Sequence, residues 1–246
     1  MMNLLKSDLY KLKGTWVPWA HGLVPLLYGL AFYGAYRTTG LGRFSDLDLL
    51  QTYLVLMGVA LPPTSALVTG QVSHMEAEAG HFQILLTSTP FRAQAYLTKV
   101  LVSLLGLAVS LALALLVWVL LMGKTLGGLA FYGGLLLFLA SLFSYLVHLD
   151  LALFVESGAS MGLGFFGSLL ALLATTGLGD GLWYALPPTW PSRLAGTLVL
   201  AEEMGSPGLF CHELTLWALL ALPLTLIVLA ASLLAFSKWE GGSFSA

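Results

Sequence analysis

Six stretches of the chain carry no Asp, Glu, Lys or Arg: 14–36, 49–75, 100–123, 125–149, 157–179 and 214–237, each 23 to 27 residues long. A helix rises about 1.5 Å per residue, so about 20 apolar residues cross the roughly 30 Å hydrocarbon layer of a bilayer. Each stretch therefore holds one crossing with its interfacial flanks. The runs are uniformly apolar and rich in Leu and Ala, without the period-two alternation of a membrane strand, which excludes a β-barrel reading. The expected fold class is all-α integral membrane: six transmembrane helices at approximately 16–36, 49–70, 96–122, 127–149, 157–178 and 214–236. Together they form a single membrane domain over residues 1–246.

Composition agrees with this reading. The chain is 58% hydrophobic and 9% charged, and its 10 basic and 12 acidic residues cannot clothe the surface of a soluble fold of this length. A net charge of −2 supplies no basic field for a nucleic acid, so nucleic-acid binding is set aside. One cysteine, Cys211, excludes an intramolecular disulfide and a zinc site built from several thiolates. The first apolar run lacks a small-x-small cleavage site and is expected to remain as an uncleaved helix.

Lys6, Lys11 and Lys13 precede the first span, and positive charge beside a first helix stays in the cytoplasm. The expected location is the cytoplasmic membrane, multi-pass, with both termini inside. Residues 1–13 place Met2, Leu5, Leu9 and Leu12 at helical spacing, with the three lysines elsewhere on the wheel. This pattern predicts a helix lying in the headgroup layer, its membrane-surface residues being Leu5, Lys6, Leu9, Lys11, Leu12 and Lys13. Between spans two and three, Val72, Met75, Ala79, Phe82 and Leu86 fall on one helical face while Gln71, His74, Glu78 and His81 gather on another. Pro90 ends that segment. Pro62-Pro63 is expected to break or kink span two near its middle. In span five, Gly158, Gly162, Gly164 and Gly167 are expected to let another helix approach closely. The stretch 179–213, with Trp183, Pro187, Pro188, Trp190 and Pro191, reads as a stiff outer loop.

Several catalytic patterns begin and then fail. Gly123-Lys124-Thr125 resembles the end of a phosphate loop, but Trp118 stands where its first glycine belongs, so any ATP is bound by another chain. His212-Glu213 opens like a zinc-protease motif, yet Leu216 replaces the second histidine. His74, Glu78 and His81 share a face that suits either a metal or, more plainly, solvent. Gly158-Ala159-Ser160 with a histidine elsewhere is a superficial fit to a membrane-embedded hydrolase, although Met161 stands in place of that site's second glycine. His21, His148 and Asp150 are the ionisable groups placed in or at the edge of a span, and no chain of acids crosses the bilayer as a proton pump would need.

The connector EAEAGHFQILLTSTPFRAQAYLTK, residues 76–99, resembles the element that follows span two in permease subunits of type-2 ABC exporters. There an acidic residue, a Gly, a Glu or Gln, a Leu-Leu pair, a Pro, a basic residue and a Lys occur in that order; here they are Glu78, Gly80, Gln83, Leu85 and Leu86, Pro90, Arg92 and Lys99. Many members carry Thr and Glu where this chain has His81 and Gln83, and LPPTWPSR at 186–193 is similar to the lantibiotic-immunity and bacitracin-resistance subgroup. The resemblance implies a non-catalytic membrane subunit of an ATP-driven exporter. A cytoplasmic coupling segment over 71–93 and the N-terminal helix would dock on a partner ATPase that supplies ATP and Mg. This chain would hold no cofactor of its own. In that reading Glu76, Glu78, His81, Gln83 and Arg92 provide polar docking contacts, and Phe82, Leu85 and Leu86 anchor the segment to the membrane domain. It further implies a second permease subunit and an amphipathic cargo such as an antimicrobial peptide or a lipid-linked molecule. A haem-exporter-like permease is the alternative within the class, and a membrane-embedded hydrolase the alternative outside it.

Overall fold

The computed structural model describes residues 2–78, 82–87, 91–123 and 125–240, and among them every regular element is helical. The helices are α1 (Met2–Lys13), α2 (Val17–Thr38), α3 (Asp46–Glu78), α4 (Gln83–Thr87), α5 (Arg92–Met122), α6 (Gly127–Asp150), α7 (Ser157–Leu173), α8 (Trp190–Glu203) and α9 (Pro207–Lys238), with a π-turn at Leu151–Val155 continuing α6. Four stretches combine the length and apolarity to cross a membrane: α3, α5, α6 with its π-turn, and α9. Of the other two expected spans, α7 is apolar but only 17 residues long, and α2 interrupts its apolar residues with His21, Pro25 and several tyrosines and glycines.

Local chemistry sets the boundaries. Ser45 and Asp48 exchange hydrogen bonds between side chain and backbone at the start of α3, a reciprocal N-terminal cap. At the far end of α8, Gly205 takes φ +60°, which a side chain would resist, and lets the chain turn into Pro207 at the start of α9.

α3 is the central post. It packs against α6, α7 and α8, and 67% of its most apolar window is buried, against 17% for α9 at the periphery. The outward faces of α2, α5, α7 and α9 present Leu27, Leu105, Phe166, Leu219 and Leu226 among many exposed apolar side chains. A surface of this kind suits lipid and not water. At 33 residues α3 is about 50 Å long, so its ends project beyond a hydrocarbon layer of roughly 30 Å.

Pro62 and Pro63 do not break α3; the helix runs through both. Proline removes the amide that would bond the carbonyl four residues earlier, so Pro63 frees the carbonyl of Val59. Ser168 of α7 donates to that oxygen at 2.8 Å. The neighbouring helix thus replaces the lost bond, which an apolar surrounding requires. Gly164 makes the approach possible, since a Cβ there would stand 2.7 Å from Ala66 Cβ and 2.9 Å from the Pro62 carbonyl oxygen. Gly167 abuts Pro188 and Pro62 in the same way, whereas Gly162 faces open space and Gly158 meets only the side chain of Glu156. Two of the four expected packing glycines therefore carry the contact.

The expected outer loop also differs from the structure. Within 179–213 lies α8, whose Trp190, Leu194, Ala195 and Val199 are almost fully buried, and α9 already begins at Pro207. Trp183, Trp190 and Trp217 join Leu136, Ala140, Leu194 and Ala221 in a second core and do not line an interface. The chain enters α8 so close to α3 that a Cβ on Gly58 would be 2.5 Å from Ser192 N.

Replacing Gly164 by Leu should overpack the α3–α7 contact and cost about 3 kcal/mol, while Gly162→Leu should change stability by no more than about 0.5 kcal/mol. The check is the unfolding midpoint of each variant in detergent micelles.

Candidate functional site

Where α1, the end of α3 and the start of α5 meet, four charged side chains converge. Lys99 reaches Glu76 Oε1 at 2.5 Å and also pairs with Asp8; Lys11 donates to both Glu76 oxygens at 2.8 and 3.0 Å. Lys99 is 2% exposed, Glu76 1% and Asp8 6%. Two cations and two anions balance, which is what allows charges to remain out of water. Each comes from a different turn of chain, so the cluster fastens the N-terminal helix to both long helices.

Glu76 and Lys99, both expected on a docking surface, therefore face inward. The apolar side of α1 is corrected as well: Leu12 is buried and Leu5 packs on the core, with Asp8 between them on the same face, while Leu9 stays exposed. Lys6 and Lys13 are exposed and Lys11 turns inward to Glu76. Asp8 is a member of the cluster that the helical pattern of α1 does not single out, and its one sequence signal is positional: it stands three residues after Leu5 and four before Leu12, a carboxylate on a buried stripe.

The connector is held by a second set of contacts. α3 extends to Glu78, so residues 71–78 continue span two and are not a separate segment. Phe82 sits at φ +66°, a conformation costing a bulky residue about 1–2 kcal/mol, and its ring is 1% exposed. Burial of a phenyl group is worth about 1.5–3 kcal/mol, enough to offset that strain. The ring packs 5.0 Å from Trp239, which also meets Phe154 and Phe236. Arg92 donates to the Trp239 carbonyl at 2.7 Å, and Leu85 and Leu86 are buried. A third tie lies alongside: Asp150 accepts from Tyr96 at 2.7 Å and from Ser232 at 2.6 Å, joining α6, α5 and α9.

Outward at this end stand polar groups beside exposed Met2, Leu9, Tyr10 and Phe91. His74 and Glu78 are 61% and 71% exposed, their nearest atoms 3.6 Å apart, and Gln83 is exposed at the start of α4. Gly80, His81, Pro90 and Lys124 lie outside the described residues. Among the described residues no three His, Cys, Asp or Glu side chains gather as a metal site.

Deeper in the bundle, His21 Nδ1 is 2.6 Å from Ser110 Oγ, with its ring against Gly106. His148 Nδ1 is 3.0 Å from Ser160 Oγ, and the same hydroxyl donates to the His148 carbonyl at 3.2 Å. Both residues are buried, at 4% and 0% exposure, and the contact fastens the turn between α6 and α7. A lateral groove of about 270 Å³ opens between α2, α3 and α5, lined by Tyr28, Met57, Leu61, Leu107, Leu111 and Tyr145.

Comparison with protein-family models, with curated proteins and with solved structures returns no match.

Removing one member of the charge cluster should strand the others. Lys99→Met leaves two buried carboxylates with only Lys11 between them and should cost about 3–5 kcal/mol, whereas Lys11→Met, at a part-exposed site, should cost about 1 kcal/mol. Unfolding midpoints in detergent provide the comparison, and the triple substitution Asp8→Asn, Glu76→Gln, Lys99→Met should recover part of the Lys99→Met loss.

Proposed function

We propose that this chain is the non-catalytic, membrane-spanning subunit of an ATP-driven exporter, with its charge-clustered end docked on a partner ATPase. The observation that carries the reading is the cross-tie of Asp8, Lys99, Glu76 and Lys11, which makes the N-terminal helix and the α3–α5 connector one mechanical unit. Those are the two elements that a partner outside the membrane would push. A force on α1 or on the connector reaches α3 and α5 through the ion cluster and α9 through Trp239. Packed helices respond by moving as rigid bodies between discrete arrangements.

In this reading α2 and α7 complete six crossings with α3, α5, α6 and α9, and both termini are cytoplasmic. Lys6, Lys11, Lys13, Arg92, Lys99 and Lys238 all lie at the docked end, in keeping with a cytoplasmic excess of positive charge. Docking contacts come from the outward residues His74, Glu78 and Gln83, and not from Glu76 or Lys99. The apolar groove between α2, α3 and α5 suits an amphipathic cargo, such as an antimicrobial peptide or a lipid-linked molecule. Two copies of the chain, or this chain and a related one, enclose the pathway. A membrane-embedded hydrolase has one geometric point in its favour, Ser160 beside His148; it requires activity without an ATPase and loss of that activity in Ser160→Ala.

The test uses the chain assembled with an ATPase subunit that co-purifies with it from the membrane. Glu78→Lys combined with Gln83→Lys should lower ATPase stimulation about tenfold and leave the unfolding midpoint unchanged. Full stimulation in that double variant overturns the docking assignment. Native mass measurement of the assembly should give two membrane chains for two ATPases; one membrane chain per two ATPases rejects the paired pathway.

A further inference from the structure

At the end of the bundle away from the ion cluster, α3, α8, the start of α9 and the turn after α7 enclose a second cavity, of about 280 Å³. It differs in character from the lateral groove. Gln51, Thr197, Asp180, Arg193 and Glu213 line it, with Leu200 and Leu209 on its apolar side. Arg193 Nη1 donates to Asp180 Oδ1 at 2.8 Å, while its Nη2 stands 3.7 Å from Glu213 Oε1, too far for a hydrogen bond. The guanidinium also lies 5.9 Å over the Trp183 ring, which holds its plane. Gln51 is occupied, donating to the Gly196 carbonyl at 3.0 Å.

Two polar atoms behind the lining of this cavity lack a partner. Arg193 Nε and Glu213 Oε2 are both buried and have no hydrogen-bond partner. A guanidinium offers five donors and a carboxylate about four acceptor positions, and burying either kind without a partner is costly. Both side chains nevertheless keep part of their surface open, 24% and 12%, and stand 3.7 Å apart without saturating each other, so a ligand in the cavity can bring an acceptor to Arg193 and a donor to Glu213. One arginine against Asp180 and Glu213 leaves the lining one negative charge in excess, so the donor is best a cation. It must also carry N–H bonds, which a quaternary ammonium lacks.

We propose that this outer cavity binds a zwitterionic group in which a primary ammonium sits beside an anionic oxygen, the ammonium on Glu213 and the oxygen on Arg193. Phosphoethanolamine has this chemistry, whether carried by a lipid or free. The cavity is the size of such a headgroup and not of a folded peptide. Exposed Leu178 and Leu182 belong to the same turn region after α7, so an acyl-bearing ligand finds apolar surface next to the polar cavity. The proposal stands on this geometry alone and is independent of any partner ATPase.

The experiment measures the thermal unfolding midpoint of the purified full chain in detergent, with four additives at matched concentration. These are short-chain phosphatidylethanolamine, phosphatidylcholine and phosphatidylglycerol, and free O-phosphoethanolamine. Phosphatidylethanolamine should raise the midpoint by about 3 °C or more, with no comparable shift from the choline or glycerol lipids. An equal shift with free O-phosphoethanolamine identifies a soluble zwitterion as sufficient; a shift with the lipid alone identifies a headgroup, and either supports the site. No shift with either ethanolamine compound, or an equal shift with phosphatidylcholine or phosphatidylglycerol, overturns it. Glu213→Gln should abolish the shift and Glu202→Gln, an exposed acid on α8, should keep it. If Glu213→Gln fails to fold, the headgroup panel on the unaltered chain decides.

Discussion

The ammonium of Lys99, held out of water between Asp8 and Glu76, is the contact on which one whole end of the molecule depends. An isolated charge at 2% exposure would be prohibitively costly, and a carboxylate on each side with Lys11 behind makes it tolerable. If α1 left, it would take Asp8 and Lys11 with it, and Glu76 and Lys99 would remain a neutral pair in which each had lost one of its two partners, so two ion pairs hold α1 to α3 and α5. That converts a surface helix, which by composition alone could float in the headgroup layer, into a fixed part of the bundle. Aromatic packing around Trp239 performs the same service for the connector, and Asp150 for the junction of α5, α6 and α9.

A different constraint governs the middle of the bundle. In apolar surroundings a freed backbone carbonyl has no water to turn to, so two prolines in α3 demand a donor from elsewhere. Ser168 supplies it to Val59, and Gly164 and Gly167 bring α7 close enough to do so. The π-turn after α6 is handled alike, with Ser73 donating to the Ala152 carbonyl at 2.7 Å. Serines on one helix repairing irregularities on the next explain why α3, α6 and α7 hold together despite small side chains at their contacts.

The two ends are thereby unlike. One is knitted by buried ion pairs and rings. The other, beneath α8, keeps a mixed-charge cavity in which Arg193 and Glu213 stand 3.7 Å apart. The order of elements along the sequence places the two at opposite ends of α3.

Charge spacing and uniform apolarity in the sequence alone pointed to helices apolar enough for a membrane, which is what the described residues form, and placed most helix boundaries within a few residues, because excluding charge from hydrocarbon is a one-dimensional rule. The exposed polar face of His74 and Glu78 was equally legible from helical periodicity. Which charges pair was not. Asp8, Glu76 and Lys99 are separated by up to 91 residues, and a lysine at a helix end reads the same whether it meets solvent or a carboxylate. Nor could spacing tell that Gly164 touches a helix while Gly162 faces open space, or that 190–203 is a buried helix and not a loop. Those distinctions rest on which face of each helix meets a neighbour, and only tertiary packing, through the cost of an unpaired charge or carbonyl away from water, decides that.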